Sequence, residues 1–206
     1  GIFGGSLYFF TENTALGITQ ASNVSFIICT APLLTTILSL LFYKSEKASK
    51  GLIYGSLLAL MGVGLIVFNG SFVLKISPIG DLLTLLAALS WAFYSLIIKK
   101  MAGRYPTVFI TRKIFFYGVL TILPAFLLHP LQPDTAVLLQ PGVLFNLLFL
   151  AVLASLICYV LWNVVLKQLG TVRASNYIYL NPLVTMIASS LILDEKITLV
   201  ALGGAA

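Results

Sequence analysis

The stretch from Asn13 to Phe42 recurs, without a gap, 150 residues later, and ten of its thirty positions carry the same residue in both copies. The pairs are Asn13/Asn163, Leu16/Leu166, Ser25/Ser175, Ile28/Ile178, Pro32/Pro182, Leu33/Leu183, Thr35/Thr185, Ile37/Ile187, Ser39/Ser189 and Leu41/Leu191. A duplicated unit limits the folds open to the chain more than any single motif does. Each copy also sets a proline in the middle of a long apolar run. Paired, interrupted apolar segments in two copies of a repeat are the pattern of a transporter's binding site.

The medium follows from composition. Apolar residues make up 60 % of the chain and charged ones 9 %, with a mean hydropathy of +1.07. A soluble domain carries about a quarter charged residues. The chain therefore reads as an all-α integral membrane protein, because lipid leaves an open strand no partner for its backbone. A crossing takes about 20 residues of helix. The uncharged runs, split at Gly17-Ile18-Thr19-Gln20, give eight segments: 1–18, 22–43, 51–69, 80–98, 109–128, 142–166, 172–193 and 197 onward. The first and last are short for a span and Gly1 is not an initiator methionine, so the chain reads as a fragment of a longer protein.

A net charge of +6 would suggest nucleic acid in a soluble protein, but here the charges lie in loops. With the Lys44–Lys50 loop placed inside, the inner side also holds Lys99, Lys100, Arg104, Arg112, Lys113, Lys167 and Arg173. Only Lys75 and Lys196 fall outside. This is the positive-inside distribution, so no nucleic-acid partner is expected. Segments 1–18 and 22–43 match 142–166 and 172–193, which makes the repeat five helices long. An odd repeat enters the membrane in opposite directions in its two copies, and the charge tally gives the same result. The expected architecture is an inverted five-plus-five helix repeat of which about eight helices are present. Residues 1–78 form the C-terminal part of the first repeat (three helices). Residues 79–206 form the second repeat (five helices, the last truncated).

Several motifs carry a family resemblance by their order and spacing. Glu12-Asn13-Thr14-Ala15-Leu16 leads to Ala21-Ser22-Asn23, and Ala31-Pro32-Leu33 precedes the Lys44-Ser45-Glu46-Lys47 loop. Gly80-Asp81-Leu82-Leu83 runs into Ala87-Ala88-Leu89-Ser90-Trp91-Ala92, and Asn181-Pro182-Leu183-Val184 precedes Leu193-Asp194-Glu195-Lys196. Over essentially the whole chain this resembles the EamA-like branch of the drug/metabolite transporter superfamily. The resemblance implies ten helices, a central cavity between two five-helix halves, and export of amino acids or other small metabolites from bacteria. It implies a multi-pass protein of the bacterial plasma (inner) membrane. A nucleotide-sugar or drug carrier of the same superfamily is the alternative.

Candidate substrate-binding residues come from several spans. Pro32 and Pro182 each remove a backbone donor and free the carbonyl four residues earlier, at Ile28 and Ile178. Such a group at mid-membrane faces a water-lined cavity, or it is satisfied by a nearby Ser or Thr in a packing kink. Thr35 and Thr185 lie one turn away. Ser22, Ser25, Cys29, Pro32, Thr36 and Ser39 form a small, mildly polar stripe that suits either cavity lining or close helix packing. Glu12 is the one acid well inside a span, placed to hold an amino group or relay a proton, or else paired within the fold. Trp91, Tyr94, Tyr159 and Asn181 stand on aromatic-polar faces with Ser90, Ser95, Ser155, Trp162, Asn163, Asn176 and Tyr177. An apolar pocket with a few placed polar groups suits an organic metabolite, whereas belt residues at the interface are the other reading of Trp and Tyr.

The remaining features read as structural. Glu46, Glu195 and Asp81 precede or begin helices, where a carboxylate complements the N-terminal dipole. Gly51 and Gly55, with Gly62 and Gly64, permit close helix contact within the subunit or in a homodimer. Cys29 and Cys158 lie in spans as small apolar residues, and His129 alone offers no metal site. No metal is expected without several convergent ligands, and no cofactor is expected, with no glycine-rich phosphate loop ending in Gly-Lys-Ser/Thr to bind a nucleotide. The scattered acids Glu12, Glu46, Asp81, Asp134, Asp194 and Glu195 argue against a membrane-embedded enzyme with a catalytic cluster. The expected partners are a small-molecule substrate and the lipid bilayer.

Overall fold

The computed structural model describes residues 1–19, 21–43, 50–68, 77–128, 135–193 and 199–205, and they are helical except for short turns. The elements in chain order are α1 (Leu7–Ile18, continuing a π-helical turn Ile2–Ser6), α2 (Ala21–Ile28), α3 (Ala31–Phe42), α4 (Lys50–Phe68) and α5 (Pro78–Ala102). They continue with α6 (Thr107–Leu128), the one-turn α7 (Thr135–Leu138), α8 (Pro141–Leu148), a π-helical stretch Phe149–Ile157 and α9 (Cys158–Leu169). Last come α10 (Thr171–Asn176), a 3₁₀ turn Tyr177–Leu180, α11 (Asn181–Leu193) and α12 (Leu199–Ala205). Four apolar helical runs among the described residues are long enough to cross a bilayer: Asn23–Phe42, Pro78–Ala102, Thr107–Ala125 and Pro141–Leu169.

The two copies of the repeat break their helices at corresponding places. α1 ends at Ile18 and α9 at Leu169, followed by Gly170, whose φ of 79° only glycine adopts without strain. In the first copy the span then breaks at Cys29–Thr30, and α3 starts with Pro32 in its first turn. In the second copy the break is the Tyr177–Leu180 turn, and α11 starts with Asn181-Pro182. Proline is tolerated in a helix's first turn, where its missing N–H has no intrahelical partner to lose. Both prolines thus stand in the first turn after a break inside a span, and Asn23–Phe42 remains a single run long enough to cross a bilayer.

α5 is the central pillar. It packs against α1, α2, α3 and α9, and its buried face carries Gly80, Thr84, Ala87, Ala88, Ala92 and Ser95. Small side chains let backbones approach where lipid offers no hydrophobic drive. Asp81 accepts a hydrogen bond from the Ser77 N–H (3.2 Å), closing the first turn of α5 as expected for a structural carboxylate. α4 packs along α12 through glycine: a Cβ on Gly62 would stand 2.5 Å from the Gly204 carbonyl oxygen. Gly55, by contrast, has nothing within 4 Å of a Cβ, so the expected Gly51/Gly55 contact is replaced within this chain by Gly62.

Several sequence expectations lie outside the described residues: Glu46, Asp134, Asp194, Glu195, His129, and the basic groups Lys44, Lys47, Lys75 and Lys196. The side chains of Ser22 and Thr185 also lie outside.

Candidate substrate site

An aromatic cluster gathers on α5. Residues three or four apart share a helix face, so Trp91, Tyr94 and Ser95 project toward the same neighbours. The Trp91 ring centroid lies 5.1 Å from Tyr8, 5.1 Å from Tyr94, 5.8 Å from Trp162 and 5.9 Å edge-on from Tyr159. These separations fall in the range of favourable tilted and edge-to-face pairs. Phe9 and Phe115 extend the cluster, each in ring contact with Tyr159. Rings from α1, α5, α6 and α9 thus meet in one place.

Hydrogen bonds fix the cluster's base. The Tyr94 hydroxyl donates to Asn163 Oδ1 (2.7 Å), and Asn163 Nδ2 donates to Thr111 Oγ1 (2.9 Å). The Tyr159 hydroxyl donates to the Gly4 carbonyl (2.7 Å), and Ser90 donates to the Phe3 carbonyl (2.8 Å). A Cβ on Gly4 would fall inside the Tyr94 ring, so only glycine lets the π-helical turn sit this close. Both tyrosine hydroxyls are committed to neighbouring helices, and only their ring faces remain to meet a ligand.

Two polar groups on the other side are not committed. The indole N–H groups of Trp91 and Trp162 are both buried and have no hydrogen-bond partner among the described residues. A buried donor without an acceptor is costly, and native structures tolerate few. On α1 the Glu12 carboxylate accepts a bond from Tyr8 (3.0 Å), whose ring lies tilted against Trp91. A half-buried acid, an aromatic wall and two open donors therefore adjoin one another.

The helix breaks converge on the same place. Ile28, Ala31 and Leu34 from the first break and Ile178 from the second pack with Ala88, Trp91 and Trp162. Thr30 donates to the Ile27 carbonyl (2.6 Å), so a threonine answers part of the backbone opened at the first break. Pro32 and Pro182 are both buried.

The other sequence candidates fall out as follows. Thr35 is fully buried at 0 % exposure, and its hydroxyl has no partner among the described residues. It lies on α3, which packs against α5 and α10. Thr36 and Ser39 are buried on the same helix, and Thr36 donates to the Pro32 carbonyl (2.9 Å). Ser25 departs from the expected stripe, being exposed at α2. Asn181, expected as a polar wall, is exposed at the first residue of α11, because the preceding 3₁₀ turn sends Ile178 inward instead. Tyr177 is exposed as well.

Sequence reasoning missed Tyr8 and the Asn163–Thr111 link, and placed Trp162 only among the residues of an aromatic-polar face. The Tyr8/Glu12 and Tyr159/Asn163 spacings of four residues were the available signals. The link to Thr111 has none, since it joins residues 52 positions apart.

The EamA-like transporter family profile matches residues 1–68 and 78–206. An uncharacterized transporter of Archaeoglobus fulgidus is 30 % identical over 195 residues, covering 94 % of this chain and 66 % of that protein. A protein of Escherichia coli named a probable amino-acid metabolite efflux pump is 23 % identical over 190 residues, covering 89 % of this chain and 64 % of its own length. A probable amino-acid metabolite efflux pump of Salmonella typhimurium is 29 % identical over 174 residues, covering 80 % of this chain and 57 % of that protein. The chain thus spans less than two thirds of the length of these relatives. A solved structure covers the whole chain with a TM-score of 0.77 at 20 % identity, with 72 % of its own chain matched, which speaks for the fold alone.

Proposed function

Because this chain belongs to the EamA-like transporter family and is a multi-pass membrane protein, we propose that it is part of a secondary transporter exporting amino-acid-like metabolites across the bacterial plasma membrane. The observation that carries the reading is the junction of the two helix breaks with Trp91, Trp162 and the Glu12–Tyr8 pair. An amino-acid-like solute has a carboxylate, an ammonium group and a side chain. The two indole N–H groups supply donors for the carboxylate, and Glu12 supplies the opposite charge for the ammonium. The ring faces of Trp91, Tyr94 and Tyr159 supply a wall for the side chain, with cation–π attraction available to the ammonium. The named efflux function of the Escherichia coli and Salmonella typhimurium relatives supports the same substrate class.

The breaks themselves suit the mechanism. A helix interrupted in mid-membrane exposes backbone groups that a continuous helix would satisfy internally, and such interruptions line transport sites. In this structure the rings lie against one another, so solute entry separates them as residues 1–78 move against 79–206. That motion is alternating access between two halves related by the repeat, with Pro32 and Pro182 at the helix breaks.

The test is a metabolite-release screen on cells expressing the intact gene. Selective appearance of one or a few amino-acid-like compounds in the medium supports the proposal. Release of organic cations lacking a carboxylate, with no amino acid among the exported compounds, would assign the site to a drug carrier instead.

A further inference from the structure

A groove of about 480 Å³ runs between α6 and the α8–α9 span, beside the aromatic cluster, with which it shares Phe115. Its walls are Val108, Thr111 and Phe115 on one side and Ala151, Leu156 and Val160 on the other, with Arg112 at the rim. That volume is in the range that takes a small organic molecule. The lining chemistry narrows the class. Apart from Thr111 and Arg112 every wall residue is apolar, and Thr111 already donates to the Thr107 carbonyl (3.0 Å) and accepts from Asn163. A polar solute would find nothing to bind along the walls.

The groove's surroundings give its depth in the bilayer. Ala151 and Leu156 belong to the π-helical stretch, which is exposed along nearly its whole length. A surface of this kind on a membrane helix meets acyl chains. Val108 and Phe115 are seven helical steps apart, or roughly 10 Å. At the α6 start, Tyr105 stacks on Phe109 (5.6 Å), Arg112 lies over Phe109 (5.5 Å), and Lys113 lies over Phe109, Phe116 and Tyr117 (5.8 Å each). Aromatic rings with Arg and Lys mark the headgroup level, here on the side where the chain's basic loops gather. Arg112 is exposed and has no carboxylate partner among the described residues.

We propose that this groove is a binding site for an anionic phospholipid of the inner leaflet, with one acyl chain between α6 and the π-helical stretch and the phosphate on Arg112. Charge complementarity selects the anionic class, since Arg112 and Lys113 lie in the second turn of α6 with Arg104 just before it, and an Arg fork matches phosphate oxygens. Thr111 joins the groove to the Tyr94–Asn163 chain, so a bound acyl chain packs against the outer side of the aromatic cluster's base.

Native mass spectrometry of the intact protein, delipidated and titrated with phosphatidylglycerol or phosphatidylcholine, tests this. One phosphatidylglycerol should bind in preference to phosphatidylcholine. Arg112→Gln should reduce that preference about five-fold, the factor that corresponds to about 1 kcal/mol per basic residue at an anionic surface. Arg112→Lys should keep most of the preference. Ala151→Trp should lower retention of both lipids by filling the groove, and Leu144→Trp on the exposed part of α8 serves as its folding and surface control. Equal retention of the two lipids by the wild type would overturn the proposal. So would an Arg112→Gln variant with unchanged preference, or an Ala151→Trp variant that retains lipid as the Leu144→Trp control does.

Discussion

Replacing Asn163 by Leu is the most informative test of how the aromatic cluster is held. Asn163 is 1 % exposed and links Tyr94 on α5 to Thr111 on α6. Leu has the same branched four-heavy-atom skeleton with bulkier ends, so the change removes two hydrogen bonds without opening a cavity. Interhelical hydrogen bonds in membrane proteins average about 0.6 kcal/mol each, which gives ~1.2 kcal/mol for the pair. The groups left behind differ. Thr111 keeps its bond to the Thr107 carbonyl, whereas the buried Tyr94 hydroxyl has no other acceptor among the described residues. Orphaning that hydroxyl adds about 1–2 kcal/mol, so Asn163→Leu should cost about 2–3 kcal/mol in all. The sign of a second change then follows. Adding Tyr94→Phe removes the orphan, and the double variant should be more stable than Asn163→Leu alone by about 1 kcal/mol. The assay is reversible unfolding of the intact protein in mixed micelles with increasing dodecyl sulfate. A double variant less stable than the single one would refute the reasoning.

Other expectations follow from single contacts. Gly62→Val should destabilise the protein by about 1–3 kcal/mol in the same unfolding assay, since its side chain would meet the Gly204 carbonyl, while Gly55→Val should be silent. Glu12→Gln should leave membrane abundance unchanged but lower transport and flatten its pH dependence. An unchanged rate and pH profile would make Glu12 a structural acid held by Tyr8. Single cysteines at positions 47 and 134 should be labelled by an impermeant maleimide from opposite faces of the membrane, and labelling from one face would contradict the inverted repeat.

Local chemistry was legible where it repeated. The two Pro-centred breaks could be read because the same residues stand 150 positions apart, and α5 could be read as a span from its uncharged run and Asp81 start. The form of the breaks was less legible: proline in an apolar run signals a lost donor, but kink and new helix start share that signal. At the site, Trp91, Tyr94 and Tyr159 stood out by residue type. Their partners did not, since Gly4 and Thr111 are ordinary residues whose roles depend on which helices meet. Asn181 stands exposed at the start of α11, after a 3₁₀ turn that advances the helix face differently from an α turn.

The proposed export requires an amino-acid-like solute to pass the helix breaks in contact with Trp91. Counterflow of radiolabelled amino acids in proteoliposomes of the intact protein tests it, comparing wild type with Trp91→Ala and with Leu82→Ala on the lipid-facing side of the same helix, where Leu82 is 66 % exposed. Saturable counterflow should appear in the wild type, persist in Leu82→Ala, and fall about ten-fold in Trp91→Ala, the factor that one lost aromatic contact of about 1–1.5 kcal/mol gives. The absence of counterflow for every amino acid, or equal rates in the two variants, would contradict it.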